Sequence, residues 1–272
     1  MTGTGSSGFG VREATAPAPV ALVTRHVAEG IPLLIRGGLS GWRPRLLLDL
    51  ESLADRFGHR PVRVHRAPLR WTPQGQFDRV AAQRIGRPGQ GPGRGMQLLT
   101  LSLQEAVAGV LGDFTTLSPA TYAVAAASLT TTIPPLAGGV APPAPVEALG
   151  PTVPYLWLGP RGKTVPLHVD GASGMLGQVE GRKRVHLLPP GDPGAYPGSI
   201  NTRMSRIPDL RRVDPGEFPR FTARRVRSCV IDPGDLLHVP HGWWHQVDYL
   251  DAAVSVNFWP PGYLRPGRPT GR

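Results

Sequence analysis

The second half of this chain breaks into six short segments, 153–158, 176–179, 183–188, 226–231, 235–239 and 252–258, each rich in β-branched or aromatic residues and cut off by Gly, Pro or Asp. Segments this short suit strands better than helices. Strands that follow one another this closely bury their apolar faces only by pairing into a sandwich or barrel. No long helix alternates with them, which argues against a parallel α/β sheet, and no internal repeat sets a solenoid period. The expectation is a mainly β fold with a helical N-terminal part, of the α+β class.

Upstream, residues 1–18 are Gly, Ser, Thr, Ala and Pro with little apolar content and are expected to be disordered. Residues 19–150 read as a mixed α/β region that packs on the β part, 151–262 as the β unit itself, and 263–272 as a flexible tail. The run from Ile31 to Arg36 is a strand stopped by Gly37 and Gly38. Asp49 then caps a helix with Leu50, Leu53, Ala54 and Phe57 on one face, and Val62 and Val64 alternate on a further strand. Residues 86–95 read as a mobile Gly/Pro/Arg loop, and Ser102 with Glu105 forms a capping box for a helix ending at Gly112. Residues 118–132 look helical around Tyr122. The irregular stretch 189–225 is too long for a passive connection and is expected to fold over one mouth of the β unit.

Composition limits the function classes. The single Cys229 excludes an internal disulfide and a four-thiolate zinc site and fits a reducing compartment. No run of eighteen apolar residues and no basic, apolar leader is present, so a soluble cytoplasmic protein with no membrane partner is expected. The net charge of +11 is almost all arginine, scattered without a helical stripe or interleaved aromatics, which reads as codon bias rather than as a nucleic-acid footprint. Only Lys163 and Lys183 are lysines, so each is more informative than usual.

Chemistry concentrates in Pro166 to Asp170. His168 and Asp170 stand two residues apart, so an extended chain turns both to one face as a bidentate half-site. His245, after Trp243 and Trp244, is the candidate to complete a two-histidine, one-carboxylate triad, which leaves adjacent positions of Fe(II) open for a co-substrate and O2. Taken alone, a His-x-Asp is more often a surface pair. Lys183 changes the weighing: it lies in a segment expected to be barrel wall, where an inward ammonium is costly unless it meets an anion such as a dicarboxylate. His238 alternates with Leu237 and Val239 and reads as packed, His241 as exposed, Trp243 and Trp244 as structural, and Cys229 as core rather than nucleophile.

The run Tyr155 to Asp170, the Gly181 to Lys183 turn, the stretch Asp232 to Pro240, and Trp243 to Trp259 together resemble the JmjC, cupin-like 2-oxoglutarate oxygenases, in order and spacing through residues 153–260. The resemblance implies a double-stranded β-helix, the jelly-roll or cupin barrel. It assigns His168, Asp170 and His245 to Fe(II), and Lys183 to the distal carboxylate of 2-oxoglutarate. Asn257 falls beside the co-substrate and Tyr122 on the same carboxylate. The position three before the first histidine, a co-substrate contact and often threonine in that family, is Val165 here, with Thr164 displaced by one. The implied reaction is hydroxylation of a C–H bond of a peptide, protein side chain or small natural product, with succinate and CO2 as co-products, and demethylation when the carbon is bound to nitrogen. Asp170 argues against halogenation, which needs a small residue there. A cupin isomerase or dioxygenase without 2-oxoglutarate, and a silent binding module, are the rival readings, with a monomer or homodimer in either case.

Overall fold

The computed structural model describes residues 10–67, 97–112, 121–137, 141–198 and 202–262; the loop expected at 86–95 lies outside them. Thirteen strands are found among the described residues: β1 (Arg12–Thr15), β2 (Leu33–Arg36), β3 (Pro61–Ala67), β4 (Gln97–Ser102), β5 (Thr121–Ser128), β6 (Val153–Gly159), β7 (Thr164–Val169), β8 (Gly174–Glu180), β9 (Lys183–Leu188), β10 (Arg227–Ile231), β11 (Leu236–Val239), β12 (Trp244–Tyr249) and β13 (Ala253–Trp259). Helices α1 (Val20–Glu29), α2 (Leu50–Phe57), α3 (Leu103–Leu111), α4 (Leu129–Thr132) and α5 (Pro134–Ala137) belong to the first half. None of them is long and apolar enough to cross a membrane.

The strands form a nine-stranded sheet, β1-β2-β11-β8-β13-β6-β5-β3-β4, and a four-stranded sheet, β10-β9-β12-β7. Period-two alternation decides what each face meets. On β13, Val254, Val256 and Phe258 join a core with Val23, Leu53, Leu103 and Val107 of the helices. Ser255, Asn257 and Trp259 point the other way, into a pocket shared with Lys183, Val185, His245 and Val247 of the smaller sheet. The two sheets therefore stack as a jelly-roll sandwich. The barrel expected from the sequence is not closed, because no strand pairing joins one sheet to the other among the described residues.

The local signals near the helices work as their chemistry requires. Asp49 accepts from the Ser52 amide at 2.8 Å, Ser102 and Glu105 form the reciprocal capping box, and Gly112 ends α3 in the left-handed conformation. Three expectations are corrected. Residues 118–132 are mostly strand: β5 pairs with β3 and β6 and buries Tyr122 and Val124, so tertiary pairing overrides the helix propensity of its alanines. Part of the supposedly disordered 1–18 forms β1, which pairs in parallel with β2. The stretch 189–225 covers the outer face of the four-stranded sheet, where Ala195, Leu210 and Phe221 pack on Leu167, Leu188 and Trp244. Arg203 of the same stretch sets its guanidinium where a side chain on Gly171, the neighbour of Asp170, would stand.

Candidate functional site

A bulge in β7 sets the geometry. His245 pairs with His168 and Val247 with Val165, so two steps on β12 face three on β7. The extra residue falls at Pro166–Leu167, on an edge strand where a proline costs no ladder bond. Val165 and His168, which strict alternation would place on opposite faces, consequently both line the pocket. Leu167 turns outward into the cluster around Trp244.

The two imidazoles are oriented alike. His168 Nδ1 donates to the Pro166 carbonyl at 2.7 Å and His245 Nδ1 to that of Trp243 at 3.1 Å. A carbonyl only accepts, so each Nδ1 carries a hydrogen and Nε2 is the nitrogen left to serve as a ligand. Both Nε2 atoms face Asp170, His168 at 3.8 Å from Oδ1 and His245 at 3.6 Å from Oδ2. All three ligand atoms lie within 4.8 Å of one another. Bonds of about 2.1 Å set cis ligands about 3 Å apart, so small side-chain rotations close the set on an ion. Burial, then the neighbouring His168, pushes the His245 pKa down to about 4, so its ring is neutral at pH 7, as a ligand must be.

Deeper between the sheets, Lys183 is 2 % exposed. Its Nζ donates to Ser255 Oγ at 2.5 Å and lies 4.2 Å from the centroid of the Tyr249 ring. Burial, and secondarily the charge of Lys163, holds this ammonium well below the ordinary lysine pKa. No carboxylate forms an ion pair with it among the described residues. Asn257 Oδ1 and Trp157 Nε1, which belong to side chains lining the same pocket, are buried without a hydrogen-bond partner. Each such group costs about 1–3 kcal/mol if left unmade. The Lys183 nitrogen and the Trp157 donor therefore converge on a space that suits an anionic, oxygen-rich ligand, whereas Asn257 Oδ1, an acceptor, asks for a donor.

His168, Asp170, His245, Lys183 and Asn257 are thus brought together. Thr164 and Tyr122 are not. The bulge turns Thr164 to the outer face, where its hydroxyl donates to Asp248 at 2.9 Å. Tyr122 is buried in the helix-side core, its hydroxyl accepting from Arg66 Nε at 3.1 Å. Sequence reading missed Trp157, Tyr249 and Ser255. Parity offered a signal for the last two, since Tyr249 follows His245 and Ser255 precedes Asn257 at even spacing on one strand. His238 packs on the helix side, its Nδ1 donating to the Ile31 carbonyl at 3.1 Å, with its pKa pushed down to about 4 by burial. Trp243 Nε1 donates to Gly30, and burial pushes the Cys229 thiol up to about 12, which makes it inert.

The sequence matches a family model described as a cupin-like domain over residues 19–260. It is 40% identical over 115 residues to HSPB1-associated protein 1 of Rattus norvegicus, a stretch covering 38% of this chain and 23% of that protein. Lysine-specific demethylase 8 of Xenopus tropicalis is 36% identical over 106 residues, covering 38% of this chain and 24% of its own length. Lysine-specific demethylase JMJ30 of Arabidopsis thaliana is 34% identical over 106 residues, with the same two coverages, 38% and 24%. The chain thus spans about a quarter of the length of these curated relatives.

Proposed function

From the premise that this chain belongs to the cupin-like domain family, in its JmjC-type branch, we propose that it is an Fe(II)- and 2-oxoglutarate-dependent oxygenase hydroxylating a C–H bond of a protein or peptide side chain. The observation that carries the reading is the pairing of a His168–Asp170–His245 ligand set with a buried, carboxylate-free Lys183 in one pocket. When bound, iron with 2-oxoglutarate would supply the means to use O2 as the oxidant, one oxygen atom going to the substrate C–H bond and the other to succinate as CO2 leaves.

The chain's own residues do the positioning. His168, Asp170 and His245 would hold the ion through two imidazoles and one carboxylate, a ligand set that would leave room for a co-substrate. Lys183 lies where it can hold one carboxylate of a dicarboxylate beside Asn257, and an anion there would favour the charged form that burial opposes. Val185, Val247, Met175 and Leu176 keep water from the space between. A protein substrate is favoured over a small natural product because relatives carry demethylase names and one is named for its association with HSPB1. Hydroxylation is the reaction common to a stable alcohol product and to loss of an N-methyl group.

The test is succinate formation from 2-oxoglutarate by the purified protein with Fe(II) and O2, with and without a peptide library read by mass spectrometry. Turnover in the native chain and at least a hundredfold loss in His168→Ala support the reading. Metal binding without 2-oxoglutarate binding would leave a cupin of another chemistry, and binding of neither would leave a recognition module.

A further inference from the structure

We propose that Lys183, Ser255 and Tyr249 form a rigid end-stop that selects the co-substrate by its length, with the Ser255 hydroxyl supplying the donor that β7 fails to give. This rests on the oxygenase reading above.

The three residues come from both sheets. Lys183 pairs with Tyr249 across β9 and β12, and Ser255 lies on β13 of the larger sheet, so this end of the pocket is closed from two sides. Tyr249 stands four residues along β12 from His245, roughly 13 Å of strand at about 3.3 Å per residue, so the long side chains of Lys183 and Tyr249 reach into the gap that a diacid must span. An ammonium has three hydrogens. One goes to Ser255 Oγ and the Tyr249 ring covers another side, which leaves a single direction for a ligand. Having accepted from the ammonium, Ser255 keeps its own hydrogen to give.

On the opposite wall, the bulge places the methyl groups of Val165 in the pocket and commits the Thr164 hydroxyl to Asp248. A carboxylate at Lys183 therefore finds no hydroxyl on β7 and one on β13. The end-stop cannot recede. Tyr249 is 3% exposed, a Cβ added to Gly159 would lie 2.5 Å from its Cε1, and Lys163 Nζ stands 5.0 Å from its ring centroid. On this proposal a diacid one carbon longer than 2-oxoglutarate is expected to meet the ring, and one a carbon shorter to fall short of the ammonium.

The test is calorimetric binding of oxaloacetate, 2-oxoglutarate and 2-oxoadipate to the full chain loaded with Mn(II), with no turnover. The native protein is expected to prefer the middle length by at least tenfold over either neighbour. Ser255→Ala is expected to weaken 2-oxoglutarate by about tenfold, the size of a charge-assisted hydrogen bond. Val165→Thr in the Ser255→Ala background is expected to recover most of the loss by returning a hydroxyl to β7. Tyr249→Leu should shift the preference toward 2-oxoadipate, while Tyr249→Phe, which keeps the ring and the fold, leaves it unchanged. Native protein that binds 2-oxoglutarate while Ser255→Ala and Tyr249→Leu behave identically to it would overturn the end-stop alone. Native protein that binds Mn(II) but none of the diacids would overturn the oxygenase reading with it.

Discussion

Lys183 is the least comfortable residue of the described core, because an ammonium shut away from water with a hydroxyl and a ring for company is disfavoured against its neutral form. Lys183→Met keeps the length of the side chain and removes the charge. It is expected to stabilise the ligand-free protein by about 1–4 kcal/mol, read as a higher denaturation midpoint, while abolishing 2-oxoglutarate binding. The pH dependence follows from the same group. A lysine whose folded pKa lies below its unfolded value binds fewer protons when folded, so folding gains stability as pH rises through the interval below the ordinary lysine pKa of 10.5. The native protein should therefore show a steeper rise in stability from neutral to alkaline pH than Lys183→Met, measured by denaturant titration at each pH. Equal slopes would mean that the ammonium is not buried as described.

At the scale of elements, the β7 bulge decides which side chains enter the pocket, and the outer face of the same strand holds it in place. Asp248 of β12 accepts from Thr164 at 2.9 Å and from His186 at 3.1 Å, and His186 also meets the Ser228 hydroxyl at 2.7 Å. Gln246 joins Asp209 and the Leu210 amide to the same network, so the stretch that covers this sheet is tied to the strands that carry His168 and His245. Burial pushes the Asp248 carboxyl up, but the hydrogen bonds from His186 and Thr164 outweigh it and hold the pKa below the ordinary 3.8. Its contribution is complete above that value and is lost as pH falls through the folded pKa. Asp248→Asn is expected to cost about 1–3 kcal/mol at neutral pH and progressively less in acid. The same variant should weaken metal binding, since a shift of β7 moves His168; unchanged metal affinity would show that the bulge needs no outer tether.

For the molecule as a whole, the site lies between two sheets, each supplying part of it, so ligands that bridge the gap should hold the sandwich together. Mn(II) with 2-oxoglutarate at a hundredfold excess over its dissociation constant is expected to add about 2.7 kcal/mol, read as a rise in thermal midpoint, and His168→Ala should remove most of that rise. The large sheet draws β1 to β5 from the first half of the chain and β6, β8, β11 and β13 from the second, so neither half supplies it alone.

Much of this was legible in the sequence, for reasons that are local. The six short segments became β6, β8, β9, β10, β11 and β13 because strand length, turn residues and alternation act over a few neighbours. The caps at Asp49 and Ser102 depend on residues three apart. Lys183 was readable as inward-facing because Val185 and Leu187 share its parity. Other features were decided only when strands met their partners. β5 is a strand because β3 and β6 flank it, against the propensity of its alanines. Val165 rather than Thr164 faces the pocket because a bulge is defined only by counting against β12, and that count is absent from the sequence of β7 alone. Side-chain parity along a strand is a covalent property, whereas register between strands is a property of packing. The sequence alone therefore singled out His168, Asp170, His245 and Lys183 as candidates, and the tertiary structure determined that Ser255, Tyr249 and Trp157 stand with them.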